Sequence, residues 1–129
     1  MVIDTSALVA IFFGEPERKA FLEYLLRAET KLISAANSLE TGIVLEARRG
    51  EAAGREFDLF LVRAKLEVVA VDAEQVELAR SAWRKYGKGR HAAGLNFGDC
   101  FAYGLAKFSG QKLLAKEEDF RFTDVELIA

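Results

Sequence analysis

An α/β protein built on a parallel sheet is the fold class this sequence predicts, and three observations predict it. Short aliphatic runs alternate with longer segments of helical period, the order that strand–helix–strand units impose. No internal repeat or low-complexity tract breaks the alternation. The 129 residues, 51% hydrophobic and 29% charged, suit one soluble domain over 1–129, able to bury roughly two-thirds of its unfolded surface.

Each element follows from local chemistry. Met1-Val2-Ile3 is a first strand, and Thr5 to Phe13 a short helix stopped by Gly14. Pro16 stands near the start of a second helix over 15–29. Leu32-Ile33 is the second strand. Ala36 to Arg49 is a helix ended by Gly50, as glycine commonly ends helices, and 51–65 another. The β-branched run Val68 to Val71 is a third strand, followed by a helix from Asp72, its expected cap, to Tyr86. A glycine-punctuated loop leads to a helix over 99–109. Lys112 to Ala115 and Val125 to Ile128 close the chain as strands.

Composition excludes several classes. One cysteine, Cys100, rules out an internal disulfide and a multi-cysteine zinc site, and one histidine, His91, rules out a histidine-rich metal site. Apolar stretches fall far short of the ~20 residues that span a bilayer. The opening residues lack the basic and apolar regions of a signal peptide. The expectation is a cytoplasmic protein with no membrane segment. The net charge of −2 does not advertise nucleic-acid binding, but a net figure hides distribution.

Four acidic positions stand out. In an open parallel sheet, ligands bind beyond the carboxyl ends of the strands, and Asp4 follows the first strand. At about 100° per residue, Glu40 falls within the arc shared by Leu39, Ile43, Ala36, Ala47 and Val44. A carboxylate there is partly desolvated, which is costly unless it is paired, protonated or cation-bound. Asp99 opens a helix with an apolar stripe of Phe101, Leu105 and Phe108. The run Glu117-Glu118-Asp119 follows the Leu113-Leu114 strand. Each acid taken singly also suits a cap or a solvated face. Converging on one sheet edge, they would raise one another's pKa, and that calls for a divalent cation. All-oxygen ligands suit Mg²⁺ or Mn²⁺ rather than Zn²⁺, and such a site performs phosphodiester hydrolysis through metal-activated water.

The sequence resembles the PIN-domain ribonucleases, and within them the VapC toxins of prokaryotic toxin–antitoxin pairs. The resemblance is carried by Val2-Ile3-Asp4-Thr5-Ser6-Ala7-Leu8, Ser38-Leu39-Glu40, Asn96-Phe97-Gly98-Asp99-Cys100-Phe101-Ala102-Tyr103 and Leu113-Leu114 through Asp119-Phe120 to Thr123-Asp124. It implies a three-layer α/β/α sandwich and an acidic cluster binding Mg²⁺ or Mn²⁺. Asp4, Glu40 and Asp99 match the family's three firmest acids, and the fourth is Asp119, with Glu117 as its substitute. Thr5 or Ser6 matches the hydroxyl that supports the site, and Asn96 is a further supporting candidate. The resemblance further implies an RNA substrate, a cognate VapB-type antitoxin and homodimerisation.

Between Glu77 and Asp99 the chain carries Arg80, Arg84, Lys85, Lys88 and Arg90 with no acid among them, interleaved with Trp83 and Tyr86. Arg84, Lys85, Lys88 and Arg90 are candidate phosphate contacts, and the loop glycines make a candidate flap. A solvated helix face with Trp83 buried is the competing reading. Arg48-Arg49 is a weaker candidate, explained by the preference for basic residues at a helix end. Apolar residues of the first helices, from Phe12 to Leu26, are either core or a surface for a second copy or an antitoxin helix. The alternative function is a catalytically inactive PIN-like module that binds RNA or protein. A dinucleotide-binding protein is excluded by the absence of a glycine-rich phosphate loop after the first strand. A phosphatase with Asp4 as nucleophile would need an aspartate where Ser6 stands.

Overall fold

The computed structural model describes residues 1–116 and 118–128. In chain order the elements are β1 (Val2–Ile3), α1 (Thr5–Phe12), α2 (Arg18–Arg27), β2 (Leu32–Ser34), α3 (Ala35–Arg49), α4 (Glu51–Arg63), β3 (Glu67–Val69), α5 (Ala73–Tyr86), α6 (Phe97–Ser109) and β4 (Leu113–Leu114). A 3-10 turn over Glu118–Phe122 follows. All four strands are parallel, in the order β3-β2-β1-β4. Val2 lies opposite Leu32 and Leu113, and Ile3 opposite Leu114.

Strand alternation sorts the core into two halves. Ile3, Ile33 and Leu114 face a cluster completed by Leu8 and Ile11 of α1, Phe21 and Leu25 of α2, Leu45 of α3 and Phe57 of α4. Val2 and Leu113 face the other, with Ala79 and Ala82 of α5, Cys100, Ala102, Tyr103, Leu105 and Ala106 of α6, Leu95 and Phe120. The expected three-layer sandwich on a parallel sheet is therefore the observed architecture. Phe21 and Leu25 are core, and Phe12 and Phe13 pack against it. Of the first-helix apolar residues, Leu26 is the one that stands well exposed. Among the described residues no helix is long and apolar enough to cross a membrane.

Several element ends differ from the sequence reading by one to three residues, the second helix among them at Arg18–Arg27 rather than 15–29, and three differences have a clear cause in the hydrogen bonding. The third strand stops at Val69, because the Ala70 carbonyl turns away to accept from Gln75 Nε2 at 2.9 Å and Asp72 caps α5 through Gln75 N–H at 2.9 Å. The helix expected from Asp99 begins two residues earlier. Asn96 is its N-cap, with Oδ1 accepting from Asp99 N–H at 2.9 Å while Asp99 Oδ2 accepts from Asn96 N–H at 3.0 Å, a reciprocal capping box. The segment Val125–Ile128 is not a strand but makes one parallel bridge, Leu113 to Leu127. It is anchored from the side instead: Asp124 accepts from Tyr103 Oη at 2.6 Å and from Lys107 Nζ at 3.0 Å, which ties the tail to α6.

Helices α5 and α6 cross at Gly104, where an added Cβ would lie 2.9 Å from the Gln75 carbonyl oxygen. That contact is against backbone, so relief requires the helices to separate. Gly104→Ala is expected to destabilise the fold by about 1–3 kcal/mol despite the better helix propensity of alanine. Urea unfolding measures it, and an unchanged midpoint would contradict the close approach.

Candidate active site

The site lies beyond the carboxyl ends of β1 and β4, at the sheet position where the strand order reverses. Asp4 leaves β1 with its N–H bonded to the Leu114 carbonyl at 2.9 Å. Its carboxylate caps α1, accepting from Ser6 N–H at 3.0 Å. A cleft of about 290 Å³ opens there, lined by Asp4, Thr5, Ser6, Val9, Glu15, Glu40, Val44, Arg48, Asn96, Asp99 and Lys116. Three carboxylates from three distant segments, Asp4, Glu40 and Asp99, thus share one cavity wall.

Their electrostatics follow from burial. Asp4 is 1% exposed and Asp99 3%. Loss of hydration pushes the Asp4 carboxyl up to about 7; the Asp99 and Glu40 charges add to the rise and the hydrogen bonds from Ser6 oppose it. Asp99 is held by its place in the capping box, so the same carboxylate that starts α6 also faces the cleft. Burial, reinforced by Asp99, pushes the neighbouring Cys100 thiol up as well. That raises the cost of forming a thiolate and suits Cys100 as a packed core residue.

Glu40 arrives by a route the helical wheel did not contain. The buried face of α3 is Asn37, Thr41 and Leu45, whereas Leu39 and Ile43, large apolar residues toward one side of its apolar arc, are 66% and 58% exposed. Glu40 is half-buried because it is laid against the first turn of α6, where a Cβ on Gly98 would overlap its carboxylate oxygens. Asn37, fully buried, donates from Nδ2 to Glu40 Oε1 at 3.4 Å and to the Gly98 carbonyl at 3.0 Å.

The supporting residues are present at the same place. Thr5 donates from Oγ1 to the Asn37 carbonyl at 3.3 Å, and Ser6 Oγ accepts from Lys116 N–H at 2.9 Å. Asp119 sits in the turn Glu118–Phe122, half-buried, and is not on the cleft lining. Glu117 lies outside the described residues. Arg84, Lys85, Lys88 and Arg90 are exposed and also stand away from the cleft. Lys88 lines a separate, largely apolar pocket of about 490 Å³ with Trp83, Phe97 and Phe101. Arg90 lies over the Trp83 ring at 4.6 Å, and Trp83 is half-exposed rather than buried. The expected flap is stitched down by Lys88 N–H to the Leu95 carbonyl at 2.9 Å and Leu95 N–H to the Tyr86 carbonyl at 2.8 Å.

Sequence reasoning missed Asn37, Glu15 and Lys116 and undervalued Arg48. Lys116 Nζ pairs with Glu15 and, at 3.6 Å, with Glu17 across the cleft mouth. A polar residue three positions before Glu40 was the one available signal for Asn37. The Glu15–Lys116 contact spans most of the chain and left none.

Comparison with known proteins agrees with this architecture. The PIN domain family model matches residues 1–126. Ribonuclease VapC30 of Mycobacterium tuberculosis is 57% identical over 129 residues, covering 100% of this chain and 98% of the relative. The chain belongs to the VapC family of PIN-domain proteins. Among solved structures, this VapC-family chain is similar to VapC20 of M. tuberculosis, described as a sarcin-ricin loop cleaving toxin, with TM-score 0.78, 20% identity and coverage of 98% and 97% of the two chains. It is also similar to VapBC2 of Rickettsia felis, solved with a DNA fragment from its promoter, with TM-score 0.77, 16% identity and coverage of 99% and 96%.

The cleft fits a hard divalent cation in the chemistry of its donors. All three acids offer oxygen, and Asp4 is driven toward its neutral form by burial and like charge, a condition that a bound cation reverses. Among the described residues, no three carboxylate, imidazole or thiol side chains are already gathered into a metal cage.

A proton held by folded Asp4 and released by the unfolded chain makes this group's effect on stability pH-dependent. The penalty is absent below the ordinary carboxyl range and grows as pH rises from about 4 to about 7. Asparagine caps a helix as well as aspartate and carries no charge. Without divalent cations, Asp4→Asn is therefore expected to be more stable than the parent at pH 8 by about 1–3 kcal/mol, with the gap closing near pH 4. Thermal unfolding across that range measures it, and a pH-independent gap would contradict the assignment.

Proposed function

We propose that this chain, acting as a single domain in the cytoplasm, is the endoribonuclease toxin of a VapBC-type toxin–antitoxin pair and depends on Mg²⁺ or Mn²⁺. The observation that carries the reading is the meeting of Asp4, Glu40 and Asp99 in one cleft of a chain whose full-length relatives are ribonucleases. These three would hold the ion; Asp119, off the cleft lining, is the candidate fourth acid, with Glu117 as its substitute. Bound there, a divalent cation supplies Lewis acidity toward water and offsets charge on the departing oxygen.

The chain's own residues do the rest. The capping box keeps the Asp99 carboxylate aimed into the cleft. Thr5 and Ser6 brace the turn that presents Asp4. Arg48 and Lys116 bring positive charge to an otherwise acidic wall, where a phosphodiester must approach. Arg84, Lys85, Lys88 and Arg90 would extend that attraction along the strand, with Trp83 as a stacking surface.

Two partners complete the proposal. A VapB-type antitoxin is supported by the similarity to the VapBC2 structure. A homodimer is supported by Leu39, Ile43 and Phe97, which together expose an apolar face beside the cleft.

Purified, antitoxin-free chain is expected to cut RNA with Mg²⁺ or Mn²⁺, to lose activity in EDTA, and to lose at least a hundredfold in rate as Asp99→Asn. Asparagine at that position keeps an acceptor for the Asn96 N–H, so folding is preserved. Metal-independent cutting, or a fully active variant, would sink the reading. Charge reversal of Lys88 and Arg90 together is expected to weaken RNA binding and flatten its salt dependence, and unchanged binding removes them from the substrate path.

A further inference from the structure

Glu40 is seated by two neighbours that no part of the cleft chemistry yet uses. Asn37 lies one helical turn earlier on α3 and has no exposed surface. Its Nδ2 faces two acceptors, the Gly98 carbonyl at 3.0 Å and Glu40 Oε1 at 3.4 Å. Both are oxygens that only the amide nitrogen can serve, so the orientation of the side chain is fixed by chemistry. Its Oδ1 has no hydrogen-bond partner among the described residues. A buried amide with an unpaired acceptor is a poor choice for a helix that needs only packing.

The turn carrying Asn37 is itself pinned. Its carbonyl accepts from Thr5 Oγ1 at 3.3 Å and from Thr41 Oγ1 at 2.8 Å, so α1 and the next turn of α3 both hold it in place. On the opposite side the Glu40 carboxylate rests on Gly98, where any side chain would occupy its space. The first turn of α6 also presents the positive end of the helix dipole to that carboxylate.

We propose that Asn37 is a positioning residue of this site: together with Gly98 it forms a clamp between α3 and α6 that seats the Glu40 carboxylate in the cleft, in the arrangement a divalent cation requires. The effect on the cation rests on the function proposed above, but the clamp itself does not.

The test compares the parent chain with Asn37→Ala, Gly98→Ala, Glu40→Gln and the Asn37→Ala/Glu40→Gln double variant. In the cation-free chain, the Glu40 carboxylate carbon is followed by NMR. It is expected to move in both Asn37→Ala and Gly98→Ala, while the Tyr103 and Asp124 signals on the other side of α6 stay fixed. Calorimetric titration with Mn²⁺ is expected to show a 10–100-fold loss of affinity for each of these two variants, the usual effect of removing a residue that orients a metal ligand. In the double variant the loss is expected to equal that of Glu40→Gln alone, because a clamp with nothing to hold has no further effect. An unmoved Glu40 signal in both variants, or losses that simply multiply in the double variant, overturns the clamp. If Asn37→Ala fails to fold, Gly98→Ala decides the same question from the opposite side. A parent that binds Mn²⁺ but cuts no RNA defeats the proposed activity and leaves the clamp to the calorimetry. A parent that binds no Mn²⁺ leaves it to the carboxylate signal.

Discussion

The reciprocal hydrogen bonds between Asn96 and Asp99 fix where α6 begins, and most of the molecule is arranged around that helix. Its body supplies much of the second core, with Cys100, Ala102, Tyr103, Leu105 and Ala106. Its first turn supplies Asp99 to the cleft and the carbonyl of Gly98 to Asn37. A start two residues later would leave Phe97 and Gly98 outside the helix, make Asp99 its first residue and remove the reciprocal cap. The site depends on Asp99 being the third residue of the helix, where its carboxylate is satisfied by one backbone N–H and still borders the cavity.

The same economy governs the sheet. Strands of two or three residues form few ladder hydrogen bonds, so the sheet serves chiefly to divide two cores and to deliver chain ends to one edge. Val2 and Ile3 each commit to a different core, and the next residue, Asp4, is in the cleft. Burying an aspartate there carries a penalty, visible in its raised pKa, which the surrounding apolar packing offsets. Such stored cost is characteristic of sites built for a ligand rather than for stability.

Much of this was legible in the residues. The order of strands and helices follows from the alternation of aliphatic runs with helical segments; Asp4 and Asp99 stand out because each adjoins an apolar segment at a strand or helix boundary, and Glu40 because it falls within the apolar arc of its helix. The apolar arc of α3 misled, because its most apolar positions, Leu39 and Ile43, point outward while Asn37 and Thr41 are buried. Periodicity identifies a face but assumes that the core receives it, and in α3 the core instead takes the adjoining face of Asn37, Thr41 and Leu45. Lys116 and Glu15 were invisible for a different reason. They meet across about a hundred residues through exposed loops, where no local pattern constrains either. The terminal segment read as a strand from its composition, but its hold on the molecule comes from Asp124 against Tyr103 and Lys107.

Trp83 is the one tryptophan in the chain. It stands half-exposed under the Arg90 guanidinium, on the wall of the apolar pocket between α5 and α6. The protein therefore carries a built-in optical reporter at a defined place. Its emission is set by whether water, the guanidinium or an arriving surface covers the indole. A surface that docks beside Phe97 and Lys88 covers the indole and is therefore read in the intrinsic fluorescence without a label.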